Sequence, residues 1–300
     1  MKDSMFTKKN MKQVTIDEKE HQYRKETFEK IQELEREGRF DVDVEKDPPS
    51  RKIKPGEVDY QEKKLSTRMK ASLSFFLARF YLNKLLRKRE IVIDGIEGSE
   101  NLNELQRGVI FTCNHFSPMD SFLTQIAYER SGRNKVSKKL FRIIKEGNYT
   151  SFPGFYGFLM RNARTLPLAS DFKVVREFLA GVKSTLAKGY DILIYPEQSM
   201  WWNYRKPKPL KPGAFSLAVF SMVPVVPLFI TMKDRDEIGK DGYPLQSYKI
   251  HIGKPILPDP ALSDAENKDK MSRENSLQWK AIYEKVYQLP LMYTCEEKDK

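Results

Sequence analysis

Val109-Ile110-Phe111-Thr112-Cys113 runs straight into Asn114-His115-Phe116-Ser117-Pro118-Met119-Asp120, an apolar pentapeptide handing over to a mostly polar heptapeptide. A short continuous apolar run after Gly108 predicts a strand covered on both faces, as in a mixed α/β sheet. His115 then stands at the carboxyl end of that strand. Pro118 suits the first position of a helix, because its φ is already helical and its missing N–H has no partner to lose there. Ser117 reads as the N-cap, and Asp120 falls in the first turn. In open α/β sheets ligands bind beyond the carboxyl ends of the strands. A carboxylate that accepts one ring N–H of a histidine leaves the other nitrogen able to take a proton from a hydroxyl. The bland alternative is a satisfied strand-end histidine beside a charge favoured at a helix N-terminus. Spacing alone leaves both open.

Outward from this stretch the pattern alternates. A helix from Pro118 to about Arg130 precedes a strand near Phe141-Arg142-Ile143-Ile144 and a helix over about 155–162. A short strand at Thr165-Leu166-Pro167-Leu168, a helix capped by Ser170 and ending before Gly189, and a buried strand at Ile192-Leu193-Ile194-Tyr195 follow. Strand–helix alternation predicts an α/β fold, a mostly parallel sheet flanked by helices. The uncharged stretch from Pro212 to Met232 resembles a membrane span in length, but Pro224 and Pro227 break it. It reads as a helix over about 214–222 and a core strand over about 225–231. Ser272 to Leu289, with Trp279, Ile282, Val286 and Leu289 on one face, reads as a closing helix.

Upstream, Asp17 to Gly38 is dense in charge and carries Tyr23, Phe28, Ile31 and Leu34 at helical steps. Turn formers from Asp47-Pro48-Pro49 to Pro55-Gly56 mark a linker. The expected organisation is a charged helical extension over residues 1–65 and a main domain over 66–300. Residues 71–86 are apolar almost all round and end on Arg87-Lys88-Arg89, but Arg79 and Lys84 make them too charged to span a bilayer. Residues 71–89 therefore read either as an amphipathic helix lying on a membrane surface or as a core helix.

The net charge is +12, and residues 1–70 contribute 18 Lys/Arg against 16 Asp/Glu, so +10 belongs to the rest. That balance suits an anionic partner. Seven cations lie within 16 positions: Arg130, Arg133, Lys135, Lys138, Lys139, Arg142 and Lys145. They read as a solvated face or as a surface for coenzyme A phosphates, an acidic carrier protein or anionic lipid. No helix-turn-helix, RRM or zinc-finger pattern is evident, which argues against a nucleic-acid partner. Two cysteines 182 positions apart and three histidines offer no metal-ligand spacing, so no metal is expected. Met1 to Lys9 carries cations without an apolar stretch behind them, so no signal peptide is expected and the protein is placed at the cytoplasmic face of a membrane.

Further motifs extend the pattern. Tyr195-Pro196-Glu197 leaves a buried strand, which aims Glu197 at the crevice of His115. Trp201-Trp202 precedes the basic run Arg205-Lys206-Pro207-Lys208-Pro209-Leu210-Lys211, read either as a phosphate-binding loop with aromatics at headgroup level or as a solvated loop whose tryptophans pack inside. With the His-x4-Asp spacing and Val223-Pro224-Val225-Val226-Pro227, these residues make the chain, over about 70–255, resemble the glycerolipid acyltransferase family typified by 1-acylglycerol-3-phosphate acyltransferases. The resemblance implies transfer of an acyl chain from acyl-CoA or acyl carrier protein, with no cofactor, to a lysophospholipid hydroxyl. The acceptor it implies most directly is 1-acylglycerol-3-phosphate, in phospholipid biosynthesis. His115 and Asp120 become the catalytic pair, Asn114 an oxyanion donor and Glu197 an acceptor-site residue. Lys211 matches the Lys-x-Gly-Ala element that follows the Pro-Glu motif.

The chain departs from the family where arginines hold the acceptor's phosphate. Those positions fall near Ser170 and at Met200, neither of which offers a guanidinium fork. Either Arg161, Arg164, Arg205, Lys206 and Lys211 take over, or the acceptor carries no phosphate. A non-catalytic membrane-binding protein on the same fold is the remaining alternative.

Overall fold

The computed structural model describes residues 15–45 and 48–296. In chain order the elements are α1 (Glu18–Arg36), α2 (Leu65–Arg87), β1 (Val92–Glu97), β2 (Ile110–Cys113), α3 (Asp120–Arg130), α4 (Arg133–Val136), β3 (Leu140–Lys145) and α5 (Glu146–Thr150). Then come α6 (Gly154–Asn162), β4 (Thr165–Leu168), α7 (Phe172–Ala187), β5 (Asp191–Ile194), α8 (Gly213–Ser221), β6 (Val225–Ile238), β7 (Pro244–Ile252) and α9 (Asp264–Tyr287).

The seven strands form one sheet in the order β1-β7-β6-β2-β5-β3-β4. Every neighbouring pair is parallel except β6 with β7. This is the mostly parallel α/β sheet that the alternation predicts. β2 lies between β5 and β6, with Thr112 opposite both Ile194 and Pro227, so the carboxyl ends of β2 and β5 open side by side. That adjacency brings His115 and Tyr195 together.

All four residues of β2 are buried. Phe111 and Cys113 face α2 and α3 with Leu82, Leu123 and Ile126. Ile110 faces the other way, into a cluster with Phe178 of α7 and Phe215 of α8. The strand is covered on both sides, which is why its sequence does not alternate. Gly108 permits the approach, since a Cβ there would strike the carbonyls of Tyr190 and Leu186.

Several boundaries move. α3 begins at Asp120 rather than Pro118, with Met119 as N-cap, because Ser117 to Met119 are used in a turn in which Ser117 Oγ accepts the Met119 N–H at 3.2 Å. α7 is capped by Asp171, not Ser170; its carboxylate accepts the N–H groups of Lys173 and Val174. α9 starts eight residues earlier than Ser272, at a reciprocal Ser263–Glu266 capping box, a device worth about 1 kcal/mol. The sequence pattern does not mark strands β1 and β7, and β6 continues to Ile238 because β7 pairs along it. Along α1, Ile31 and Leu34 are buried but Tyr23 and Phe28 are exposed.

The stretch read as a linker packs closely against the sheet and its helices. Ile53 and Tyr60 sit in the cluster containing Ile110 and Phe178, and the Tyr60 hydroxyl donates to Pro167 O at 2.8 Å. Turn formers announce irregular backbone, and two large side chains, Ile53 and Tyr60, are enough to anchor it. The Met1–Lys9 segment lies outside the described residues.

α2 is longer than expected and two-faced. Ala71, Ser74, Leu82 and Leu85 are buried, while Leu65, Met69, Leu73, Phe76 and Phe80 are exposed in a row at three- and four-residue steps. Among the described residues, no helix is long and apolar enough to cross a membrane.

Candidate active site

His115 is held from every side. Its ring Nδ1 lies 2.6 Å from Asp120 Oδ2. A carboxylate accepts and does not donate, so this contact puts the ring proton on Nδ1 and leaves Nε2 as the basic nitrogen. Asp120 is buried, whereas the histidine side chain is 22% exposed. One face of the imidazole stacks on Tyr195 at 4.3 Å between ring centroids. The Tyr195 hydroxyl is in turn 3.0 Å from Ser121 Oγ, and burial pushes its pKa well up. Tyr195 is legible in the sequence as a strand-end residue, but not as the surface that fixes the ring.

The histidine backbone is pinned as well. Its N–H donates to Glu197 Oε2 at 2.9 Å, and its carbonyl accepts from Trp201 N–H at 3.2 Å. The other Glu197 oxygen, Oε1, accepts the Lys208 N–H at 2.8 Å. Glu197 therefore holds main chain through both oxygens, beside the buried Lys208 cation, rather than standing free to meet an acceptor. Burial raises its pKa despite these donors. The Lys208 ammonium, brought down to about 8 chiefly by burial, donates to the carbonyl and hydroxyl of Ser199 at 2.6 Å each. It also lies 4.7 Å from the Trp201 ring centroid.

The amino-terminal extension completes this support. Ser199 Oγ donates to Phe40 O at 2.7 Å, and Trp201 Nε1 to Val42 O at 2.9 Å. Phe40 stacks on Trp201 at 5.6 Å. Trp201 is wholly buried and Trp202 nearly so, which excludes them as headgroup-level aromatics. Nothing in the local sequence pairs residues 40–42 with 199–201.

The remaining predicted residues are mostly engaged elsewhere. Asn114 is buried and clamps β6, its Oδ1 accepting from Ile230 N–H at 2.8 Å and its Nδ2 donating to Ile230 O at 3.0 Å, which spends one of its two N–H donors on main chain. Arg205 pairs with Asp234 at 2.6 Å, Lys206 with Glu35 at 2.6 Å and Lys211 with Asp41 at 3.0 Å. Arg161 donates to Phe152 O at 2.9 Å. Arg164 lies 3.4 Å from Glu62 and 4.4 Å from the Phe75 ring centroid. The structure brings His115, Asp120 and Glu197 together and disperses the five cations. Cys113 is buried with its pKa raised by burial, unsuited to thiolate chemistry.

Beside the His115–Asp120 pair, at Pro118 and Ser121, opens a pocket of about 350 Å³ between α2, α3 and α6. Leu82, Leu86, Phe122, Ile126 and Met160 wall it, and Arg142 reaches it from β3.

Residues 95–231 match the family described as Acyltransferase. Among solved structures, the chain is similar to the 1-acyl-sn-glycerophosphate (LPA) acyltransferase PlsC from Thermotoga maritima, with 19% identity and a TM-score of 0.48 over 76% of this chain and 99% of that one. No curated protein matches the chain.

Proposed function

The chain carries an acyltransferase-family domain over residues 95–231, and from that premise we propose that it moves an acyl group from an acyl thioester, coenzyme A or acyl carrier protein, onto the hydroxyl of a lysophospholipid at a membrane surface. The observation that carries this reading is the 2.6 Å contact of His115 Nδ1 with buried Asp120, which leaves the outer ring nitrogen available. In the proposed step His115 Nε2 takes the proton of the acceptor hydroxyl as its oxygen attacks the thioester carbonyl. The C–S bond then breaks, and the imidazolium returns the proton to the departing thiolate. Asp120 stabilises the imidazolium and holds the tautomer, while Tyr195 and the Glu197-anchored backbone hold the ring in place.

The membrane part of the reading is supported by α2. Its exposed row of Met69, Leu73, Phe76 and Phe80 is followed by Arg87, Lys88 and Arg89 at the end of the helix, and exposed Phe155 of α6 packs on Tyr81 of α2. An apolar face flanked by cations suits an anionic lipid surface. The acceptor is 1-acylglycerol-3-phosphate in this reading.

His115→Ala should lower kcat by about 10²–10⁴-fold, with vesicle binding retained. Asp120→Asn should lose a large part of the same factor, and the double variant little more than the worse single one. Near-normal turnover of lysophosphatidic acid by His115→Ala would remove the mechanism.

A further inference from the structure

Among the described residues two arginines are buried, and the fold treats them differently. Arg133 is completely buried and takes a bidentate carboxylate, with Nε 2.8 Å from Asp191 Oδ2 and Nη2 2.9 Å from Asp191 Oδ1. Arg142 is also buried, yet its hydrogen bonds go to neutral acceptors: Nη2 to Gln125 Oε1 at 2.5 Å and Nη1 to Leu140 O at 3.4 Å. Among the described residues, no carboxylate pairs with it. Glu129 is reached through Gln125, whose Nε2 donates to Glu129 Oε1 at 3.0 Å, and Glu129 already pairs with Arg79 at 2.6 Å. Burial brings the Arg142 pKa down to about 10, so the group stays cationic at neutral pH.

An uncompensated buried cation is costly. It stands at the wall of a mostly apolar pocket, which the paired Arg79 and Glu129 and also Arg130 line at one side, and whose size falls within the range of about 300–1,000 Å³ usual for small-molecule sites. The pocket begins at Ser121, the neighbour of Asp120, and runs along α3 to Arg130. Its opposite wall is the inner side of α2, the helix whose outer side carries the exposed apolar row. A lipid on that surface needs to pass only one helix to enter.

We propose that this pocket binds a single-chain lipid with a small oxyanion head, the oxyanion on Arg142 and the chain along Leu82, Leu86, Phe122, Ile126 and Met160. The lipid class rests on the acyl-transfer reading; the anion rests on the pocket alone. Charge-assisted bonds from the guanidinium fork supply the counter-ion that the chain omits. Two lipids carry the required chemistry, a lysophospholipid phosphate monoester and a free fatty acid carboxylate.

Binding of lysophosphatidic acid, a fatty acid and a monoacylglycerol of one chain length, and of inorganic phosphate, is measured below the micellar range on the full chain. An oxyanion lipid should bind at least tenfold more tightly than the monoacylglycerol. Arg142→Met should cost that lipid about 10- to 100-fold without weakening the monoacylglycerol. Arg142→Lys should fall between, and Ala78→Trp should block every lipid by filling the pocket. Tighter binding of lysophosphatidic acid makes the pocket an acceptor site; tighter binding of the fatty acid makes it a carboxylate site. Equal affinity for charged and neutral lipids, indifference to both Arg142 substitutions, or inorganic phosphate binding as well as the lipids would each overturn the proposal. If His115→Ala binds normally while the unaltered chain shows no acyl transfer, the function fails and the pocket stands.

Discussion

The loop over 197–211 and the pocket beside α3 carry similar cations in opposite electrostatic states. In the loop, Arg205, Lys206 and Lys211 each meet a carboxylate, and Lys208 is buried beside Glu197. Two of those carboxylates, Glu35 and Asp41, arrive from about 170 residues upstream in the chain. In the pocket, Arg142 meets a glutamine and a main-chain carbonyl. The lesson is that cation density along a sequence does not measure the positive charge available to a ligand. Acids folded in from elsewhere can already have used it.

The largest effect that would break this contrast belongs to Glu197. Glu197→Leu removes the acceptor of both the His115 and Lys208 N–H groups and leaves the Lys208 charge buried without its acid. A loss of roughly 3–5 kcal/mol in urea unfolding is expected, with kcat falling more than KM because the histidine backbone loses its anchor. A variant as stable as the parent would make the loop's pairing incidental.

Lys208 itself gives a pH signature. Its folded value of about 8 lies below the ordinary 10.5, so between those values the unfolded chain binds more protons. Stability from this group therefore rises with pH across about 8–10.5 and falls as pH drops through 8. Relative to Lys208→Met, the parent should gain on the order of 3 kcal/mol over that window, measured by denaturant titration at successive pH values. A parallel pH dependence in the two proteins would remove the argument.

Gln125→Glu would make the pocket resemble the loop by giving Arg142 a carboxylate. Oxyanion-lipid affinity should drop about tenfold, which corresponds to the loss of about one charge-assisted hydrogen bond, while monoacylglycerol affinity holds. The smallest effect is expected at Arg205→Ala and Lys211→Ala, whose charges are already paired at the surface. The KM for lysophosphatidic acid should change by less than about twofold. A tenfold rise would return the phosphate to the loop.

The parts that could be read without a structure are local. His115 and Asp120 are five positions apart, and a strand end followed by a helix start joins them with no help from distant chain. Strands β2 and β5 announce themselves because both their faces are covered, and α8 because prolines delimit it. Strands β1 and β7 do not. β1 contains Asp94 and Gly95 and is at most half-buried, and its hydrogen bonds depend on β7, about 150 residues later. The local sequence suits Trp201 equally to a membrane and to a core, and only the packing of Phe40 against it separates the two.

The sequence by itself determined the α/β class and the strand-to-helix turn that pairs a histidine with an aspartate. These follow from backbone sterics, hydrophobic periodicity and contacts within a few residues. Only the tertiary structure decided which polar groups remain for a ligand. Asn114 was spent on Ile230, Glu197 on the backbone of His115, and Lys206 and Lys211 on acids of the extension, whereas Arg142 was left beside an apolar pocket. Hydrogen-bond donors and charges are satisfied in space, by partners that no local pattern names, so their availability is a property of the folded chain.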